Sequence, residues 1–464
     1  MDVVLLSRIQ FGFTVGFHIL FPTLTIGLAW FLVFFEARWR CTQRQAYLDL
    51  YRFWVKIFAL TFGMGVVSGL VLSYQFGTNF SRFSEFAGPV LGPLLSVEVL
   101  TAFFVEAGFL GVMLFGWDKV GPRLHFLATL LVAIGTTNSA FWILSANSFM
   151  HTPQGAAVVD GVLVPQDWWA IVFNPSFPYR LAHMLLASAI TTALVIAGGS
   201  AWCLARGLYR EASRAALRSA IAVLAVAAPA QIVVGDLHGL NVRAHQPMKV
   251  AAMEALWETT RGAPLVAFAW PDQDAQTNRY AIEIPKLASL ILTHDADGEV
   301  RGLNEVPRAD QPPVLPVFFG FRLMVGLGVV FVVLALWGVW SAWRGRLDAD
   351  TRLQRAFMAA TPLGFVATVA GWIVAETGRQ PWLIHGMIRT ADGISPIPAT
   401  NVAFSLTLFV LVYGFLFAVY LYFVLALVRK GPVLPQTHLE AIRGARPGEL
   451  LIDASDAQGA RRWT

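Results

Sequence analysis

The chain has 464 residues, of which 56% are hydrophobic and only 14% are charged, and its formal net charge is +5. Soluble domains carry about 25% charged residues, so this composition excludes an ordinary soluble protein and indicates an integral membrane protein. The small positive charge does not indicate nucleic-acid binding, because the basic residues cluster in loops that flank apolar segments.

Nine apolar segments are long enough to cross a bilayer as helices, since a crossing needs about 20 residues. In chain order, the predicted spans 1 to 9 cover residues 11–35, 53–77, 94–116, 125–147, 179–205, 216–237, 316–341, 356–376 and 401–428. The sequence therefore predicts an all-α polytopic membrane protein with nine transmembrane helices.

The arginines and lysines of the connecting loops predict how the spans are oriented. The loops after spans 1, 3, 5, 7 and 9 are rich in these residues, whereas the loops after the even-numbered spans are poorer. Basic loops stay on the cytoplasmic side of the membrane. We therefore expect the N-terminus outside and the C-terminus in the cytoplasm.

One long polar segment interrupts the series of spans and is predicted to lie outside, between spans 6 and 7. Within this segment, residues 248–258 (MKVAAMEALWE) are predicted to form an amphipathic helix. The chain then divides into four parts. They are transmembrane helices 1–6 in residues 1–237, the extracytoplasmic loop 238–315, transmembrane helices 7–9 in residues 316–430, and a cytoplasmic tail, 431–464.

Two histidines lie inside apolar spans, His18 in span 1 and His183 in span 5. Ionisable residues inside a membrane are commonly functional, so both are candidate ligands; the alternative is hydrogen bonding between helices or along a proton path. Met324 of span 7 is predicted at the depth of His183, and imidazole with thioether is a known axial pair for a low-spin haem. A lone methionine in an apolar helix is more often packing, but the neighbouring Arg322 could pair with a haem propionate.

The segment GWIVAETGRQPW at residues 371–382 places Glu376 in the last turn of span 8. An ionised acid inside a bilayer costs roughly 2.5–3.5 kcal/mol, so Arg379, a proton or a bound metal centre must compensate Glu376. Span 3 contains Glu98 and Glu106, about 12 Å apart along the helix axis and on neighbouring faces. These two acids indicate a proton path or metal coordination; the alternative is a pair of structural carboxylates.

The predicted loop helix contains Lys249 and Glu254. Such residues are usually solvated charges, but they could also bind and deprotonate a polar headgroup at the membrane surface. His125 and His385 lie near the predicted ends of spans, and we expect them to be interfacial.

Six segments of the chain contain recognisable motifs. They are SRIQFGFTVGFH at 7–18, EFAGPVLGPLLSVEVLTAFFVE at 85–106, LVAIGTTNSAFWILSANSFM at 131–150, KVAAMEALWET at 249–259, FRLMV at 321–325 and GRQPW at 378–382. Together they resemble the haem-bearing subunit I of bacterial cytochrome bd-type quinol oxidases, along all nine spans. The loop between spans 6 and 7 resembles the Q-loop of the short-loop branch, which includes oxidases called cyanide-insensitive.

The resemblance implies a role for each matching residue. His183 and Met324 match the axial ligands of a low-spin haem b. His18 and Glu376 match the axial ligands of the two haems at the oxygen-reducing site, a high-spin haem b and a haem d or third haem b. The remaining matches are acids beside that site (Glu98 and Glu106), quinol-site residues (Lys249 and Glu254), arginines near haem propionates (Arg322 and Arg379) and tryptophans near the haems (Trp372 and Trp382).

The function implied by this resemblance is a quinol:oxygen oxidoreductase in the bacterial cytoplasmic membrane, which reduces O2 to water and builds a proton gradient without a pump. The expected partners are subunit II, a small single-span accessory subunit and membrane quinol, with no nucleic acid. Neither Cys41 nor Cys203 lies in a C-x-x-C-H motif, so any haem is bound non-covalently.

Three alternatives remain open at this point. A proton-coupled transporter would also contain intramembrane acids and histidines, but it would be colourless. A haem–copper oxidase would need additional intramembrane histidines, and we expect most of the nine histidines outside the spans. A membrane anchor or dihaem cytochrome without oxygen chemistry would lack Glu376 followed by GRQPW.

Overall fold

The computed structural model describes residues 2–432, which fold mainly into long helices. Nine helices in this part of the chain are long and apolar enough to cross a membrane. Spans 1 to 9 are Val3–Thr42, Gln45–Thr78, Ser81–Phe115, Pro122–His151, Trp168–Ala205, Arg210–His245, Val314–Trp343, Thr351–Thr377 and Ala399–Lys430. This confirms the predicted all-α fold with nine spans. Nearly all of the predicted tail, 431–464, lies outside the described residues.

The helices extend beyond the apolar segments that predicted them, because polar residues continue a helix into the headgroup region. Three spans are also interrupted. Span 3 consists of helices Ser81–Glu98 and Phe104–Phe115 joined by a π-helical turn, Val99–Phe103. Span 5 has a short helix, Trp168–Val172, before its main helix Phe177–Ala205. Span 8 consists of Thr351–Ala360 and Leu363–Thr377.

The largest apolar core is formed mainly by spans 1, 2, 5 and 6, with residues of the spans packed against them, and it includes the fully buried side chains of Leu28, Phe35 and Tyr51. Spans 1 and 5 approach closely at Gly27, where an added Cβ atom would lie 2.3 Å from Thr192 Oγ1. The Thr192 hydroxyl donates a hydrogen bond of 3.1 Å to the Leu24 carbonyl. A glycine at this position therefore lets span 5 pack directly on the backbone of span 1.

Spans 5 to 8 form a four-helix group beside this core. Span 6 packs against spans 5 and 7, and span 8 packs against the same two helices. Spans 5 and 7 therefore face each other across the group, with spans 6 and 8 between them. The centre of such a group is where helical proteins commonly bind cofactors.

The connections between spans contain short antiparallel hairpins and helices. Strands β1 (Ala156–Val159) and β2 (Val162–Pro165) pair after span 4, and β7 (Trp382–Ile384) and β8 (Ile388–Arg389) pair after span 8. The connection between spans 6 and 7 contains strands β3 (Thr260–Arg261), β4 (Leu265–Asp272), β5 (Thr277–Ile284) and β6 (Glu299–Val300). Strand β3 pairs with β6, and β4 pairs with β5. Short helices in these connections are Pro247–Glu254, Leu287–Thr293 and Thr390–Gly393.

Two details of the predicted loop 238–315 are wrong. Span 6 continues to His245 and span 7 begins at Val314, so the connection is residues 246–313. The expected amphipathic helix at 248–258 is the shorter helix Pro247–Glu254, and residues 249–254 are all buried. This loop helix is not amphipathic, because it packs against both span 6 and span 7.

The histidines also depart from expectation, because most of them lie within the spans. These are His18, His125, His151, His183, His238 and His245. The sequence placed several of them outside because polar neighbours end the apolar segments before the helices end. The number of histidines within the spans therefore cannot be used, as it was above, to argue against a haem–copper oxidase.

Candidate functional site

Glu376 lies where the end of span 8 meets the end of span 4. One carboxylate oxygen accepts a hydrogen bond of 2.6 Å from Arg379. The other lies 2.9 Å from Asn147 Nδ2 and 3.2 Å from His151 Nε2. The predicted compensation of Glu376 by Arg379 is thus present, and span 4 adds two further partners.

Lys249 of the loop helix joins the same group of side chains. Its Nζ atom lies 3.0 Å from His151 Nδ1 and 2.7 Å from Gln246 Oε1. Burial and the nearby Arg180 guanidinium hold the pKa of Lys249 well below its usual range, although Glu376 opposes this effect. When the Lys249 amine donates to Nδ1, His151 keeps its proton on Nε2 and donates it to Glu376. His151 therefore links Lys249 to Glu376 by hydrogen bonds.

Asn147 and His151 were missed by the sequence prediction, although both lie in or beside a recognised motif. They are four residues apart at the end of span 4, so they lie on one helix face. This spacing was the one sequence signal that could have identified them as a pair. Their hydrogen-bond partners, however, lie on span 8 and on the loop helix. Only the tertiary structure brings those elements together.

Glu254 and Arg322, which the sequence assigned to different sites, form an ion pair. Arg322 Nη2 lies 2.7 Å from Glu254 Oε2, and Arg322 Nε donates to the Val266 carbonyl at 2.9 Å. The guanidinium also lies over the Phe318 ring, 4.8 Å from its centroid. Arg322 therefore fixes the end of the loop helix to span 7.

His183 and Met324 lie on spans 5 and 7, the two helices that face each other across the four-helix group. His183 faces span 6, where its ring centroid is 5.7 Å from that of His238. An added Cβ atom at Gly235 would lie 3.5 Å from His183 Cε1, and one at Gly371 would lie 2.9 Å from Met324 Sδ. Each candidate ligand thus has a glycine of a neighbouring helix beside it.

His18 of span 1 is oriented by Ser68 of span 2. The Ser68 hydroxyl donates to the backbone carbonyls of Met64 and Gly65, at 2.8 and 3.1 Å. When the single Ser68 proton is in one of these bonds, Ser68 Oγ accepts a hydrogen bond from His18 Nδ1, 2.9 Å away. In that arrangement the proton of His18 is on Nδ1, and the lone pair of Nε2 is available to a metal.

The two candidate tryptophans lie in different surroundings. Trp372 packs in a small apolar cluster with Leu144, Met184 and Ile19, which joins spans 1, 4, 5 and 8. Ile19 and Met184 directly follow His18 and His183, so this cluster lies among the candidate ligands. Trp382 lies in strand β7, where the Arg389 guanidinium is 4.8 Å from its ring centroid.

Glu98 and Glu106 both face span 4, on either side of the π-helical turn. Ser139 donates a hydrogen bond of 2.6 Å to Glu98. Glu106 packs on Gly135, where an added Cβ atom would lie 2.7 Å from Glu106 Cγ, and its Oε1 atom is buried without a hydrogen-bond partner. Because Gly135 and Ser139 are one helical turn apart, the two acids lie along one face of span 4.

His125 is buried and not interfacial, which corrects the sequence prediction. Its Nδ1 atom lies 3.0 Å from Glu36 of span 1, and its Nε2 atom lies 3.3 Å from the Met113 carbonyl. Thr129 donates to the same carboxylate at 2.7 Å. The sequence analysis missed Glu36, which lies just beyond the predicted end of span 1. Span 4 therefore contacts four carboxylates along its length, in the order Glu36, Glu106, Glu98 and Glu376.

These residues fit haem better than a bare metal ion. Within residues 2–432, no group of three or more His, Cys, Asp or Glu side chains could hold a metal ion. Single ligands suit haem iron, because the porphyrin supplies the equatorial nitrogens. His18 offers a free lone pair, and His183 Nδ1 is buried without a hydrogen-bond partner. His18, His183 and Met324 each pack against a glycine of a neighbouring helix, where a larger side chain would press on the candidate ligand.

Comparison with known proteins identifies the family of this chain. Residues 6–432 match the family described as cytochrome bd terminal oxidase subunit I. The chain is 34% identical to cytochrome bd ubiquinol oxidase subunit 1 of Bacillus subtilis, over 93% of this chain and 94% of the relative. It is 32% identical to cytochrome bd-II ubiquinol oxidase subunit 1 of Escherichia coli, over 94% and 98%.

The fold matches a solved structure equally well. The bd oxidase from Geobacillus thermodenitrificans superposes with a TM-score of 0.87 at 34% identity, covering 93% of this chain and 99% of the other. These matches are to terminal oxidases, and they argue against the alternative of a proton-coupled transporter. The chain belongs to the cytochrome bd terminal oxidase subunit I family.

Proposed function

We propose that this chain is the haem-bearing subunit of a quinol:oxygen oxidoreductase that reduces O2 to water with electrons from membrane quinol. As a member of its family, the chain is a multi-pass protein of the bacterial cytoplasmic membrane and a subunit of a terminal quinol oxidase. The proposal adds the roles of individual residues, the haem types and the proton chemistry.

One observation supports the proposal most directly. The loop helix with Lys249 and Glu254, which we assign to quinol, lies against the end of span 8 with Glu376, which we assign to haem iron. A single residue, His151, separates Lys249 from Glu376. Substrate oxidation and oxygen reduction can therefore occur in neighbouring parts of one subunit.

The ligand roles are those that the resemblance to the family implies. His183 and Met324 would hold a low-spin haem b between spans 5 and 7. His18 and Glu376 would hold the two haems of the oxygen site, a high-spin haem b and a haem d or third haem b. When bound, these haems supply one-electron transfer and oxygen chemistry. Ser68 sets the tautomer of His18, and Arg379, Asn147 and His151 orient Glu376.

The proton chemistry follows from the orientation. The connection after span 1 contacts the start of span 6 through Arg44 and Glu211, and Tyr209 binds the Lys430 carbonyl at the end of span 9. Basic residues therefore gather at one end of the bundle, which we place in the cytoplasm with the C-terminus. The Q-loop and the N-terminus then lie outside. Protons leave quinol outside, and those that form water cross from the cytoplasm, so the reaction is electrogenic without a pump.

Glu98 and Glu106 are proposed to pass cytoplasmic protons to the oxygen site, because both lie within the membrane along one face of span 4. Subunit II is the expected partner of the chain, and a small single-span subunit is a second one. Both expectations come from the family, since the relatives are subunits of larger oxidases.

The deciding experiment is a reduced-minus-oxidised absorption spectrum of the purified complex, with oxygen consumption measured on addition of quinol. We expect bands of one low-spin and two high-spin haems, and quinol-dependent oxygen uptake. A colourless complex, or a coloured one that does not consume oxygen with any quinol, would contradict the proposed function.

A further inference from the structure

Three buried basic side chains surround Glu376. Arg180, Lys249 and Arg379 are only 7%, 3% and 6% exposed. Arg379 and Glu376 are paired directly, Lys249 reaches Glu376 through His151, and Arg180 Nη1 lies 3.4 Å from the side-chain oxygen Oδ1 of Asn147. Asn147 in turn donates to Glu376. Among the described residues, this cationic cluster thus shares a single hydrogen-bonded carboxylate, and buried charges without partners are costly.

A second observation concerns hydrogen-bond donors of the same cluster. Arg180 Nε, Arg379 Nε and Arg379 Nη1 are buried and have no hydrogen-bond partner, and neither has Nε2 of the adjacent Gln246. Buried donors in folded proteins are nearly always satisfied. Excess positive charge and unsatisfied donors thus occur at the same place. A bound group with negative charge would neutralise the first, and its acceptor oxygens would satisfy the second.

We infer that Arg180, Gln246 and Arg379 form a carboxylate-binding site, and that Arg180 is a binding residue of this site. Guanidinium N–H groups form strong, charge-assisted hydrogen bonds to carboxylates, and both Arg180 and Arg379 have such donors free. Arg180 lies three residues before His183, so the two side chains project from adjacent turns of span 5. The inference rests on the proposed function, because the carboxylates would be propionates of the haem that His183 binds.

The position of Arg180 has a consequence for electron transfer. A fixed positive charge beside a haem carboxylate favours the reduced form of that haem, because reduction adds an electron to the site. Arg180 should therefore raise the reduction potential of the haem bound by His183. Lysine at this position keeps the charge but loses the planar pair of donors.

The test compares Arg180→Gln and Arg180→Lys with wild type in the intact oxidase complex. Arg243→Gln is the matched control, because Arg243 is an exposed arginine of span 6 that bonds only to the Leu292 carbonyl. Midpoint potentials come from a spectroelectrochemical titration. Redox-difference infrared spectra of complexes with haem labelled by carbon-13 at its carboxylates report directly on propionate hydrogen bonding.

We expect a more negative midpoint potential of the low-spin haem in Arg180→Gln, a smaller shift in Arg180→Lys and none in Arg243→Gln. The label-sensitive infrared bands should change in both Arg180 variants. Unchanged potential and unchanged labelled bands in Arg180→Gln would overturn the inference. If that variant does not assemble, unchanged labelled bands in Arg180→Lys would overturn it. Changes confined to bands that ignore the label would indicate a carboxylate from another source and would likewise refute propionate binding. A wild-type complex without haem would instead refute the proposed function itself.

Discussion

Gly371→Ala offers a sharp test of the proposed ligand Met324, because it alters the methionine without replacing it. The new Cβ atom would lie 2.9 Å from Met324 Sδ. Non-bonded heavy atoms prefer about 3.5–4.0 Å, so the sulfur or the helix must move by roughly 0.6–1.1 Å. Overpacking of this kind costs about 1–3 kcal/mol. If the sulfur binds haem iron, the displacement should make the low-spin haem high-spin or lower its potential.

The control for this variant is Gly326→Ala, on the same helix as Met324. No atom lies within 4 Å of an added Cβ at Gly326, and alanine in a helix is more stable than glycine by roughly 0.5–1 kcal/mol. Both variants are compared by low-temperature absorption spectra and redox titration of the purified complex. A thermally destabilised Gly371→Ala protein with the wild-type spectrum and potential would refute the ligand role and leave Met324 as packing.

Four further outcomes are expected. Met324→Leu keeps the side-chain volume but removes the sulfur, so the low-spin haem should become high-spin or fall in potential; an unchanged spectrum and potential would exclude axial ligation. Glu254→Ala should lower quinol oxidation while activity with artificial donors persists, and loss of haem would reveal a structural role for its ion pair with Arg322. Glu376→Gln should deplete the high-spin haems and abolish oxygen reduction but spare the low-spin haem. A full haem complement with normal turnover would instead show that Glu376 serves only as an ion-pair partner of Arg379. Burial, with Lys249 and Arg379 nearby, lowers the pKa of His385 from 6.5 to about 4. Between these two pH values the unfolded chain binds more protons than the folded chain. The free energy of unfolding should therefore fall as the pH drops from about 6.5 to about 4. Thermal denaturation of His385→Asn across that range should show a weaker pH dependence, and an unaltered one would refute the assignment.

The spans and several candidate residues could be predicted from the sequence because their signal is local. An apolar segment of sufficient length predicts a crossing wherever it occurs, and an acid such as Glu376 inside it is conspicuous. The ends of helices were less predictable. Residues 238–245 are polar, yet they continue span 6, since a helix remains stable where it leaves the hydrocarbon region.

The residues that the sequence analysis missed share one property. His151 and Glu36 lie near the ends of apolar segments, where polar side chains are common and usually solvated. Their significance comes from partners far away in the chain, Glu376 for His151 and His125 for Glu36. The loop helix shows the same limit, because its burial against spans 6 and 7 cannot be read from its own residues. The hydrophobic periodicity of a segment indicates the surroundings of that helix, but it does not indicate which other helices contact it.

The row of contacts along span 4 also restricts how the length of this helix can change. His125, Ser139 and His151 each reach a carboxylate on a different element. Deleting one residue near Ala140 would turn one half of the helix by about 100° and shift it by about 1.5 Å relative to the other half. The contact with Glu36 or the contact with Glu376 would then be lost, whichever half moved. Span 9 buries only Val402 and Tyr413 among its described residues, which leaves most of its surface to lipid or to the partner subunits.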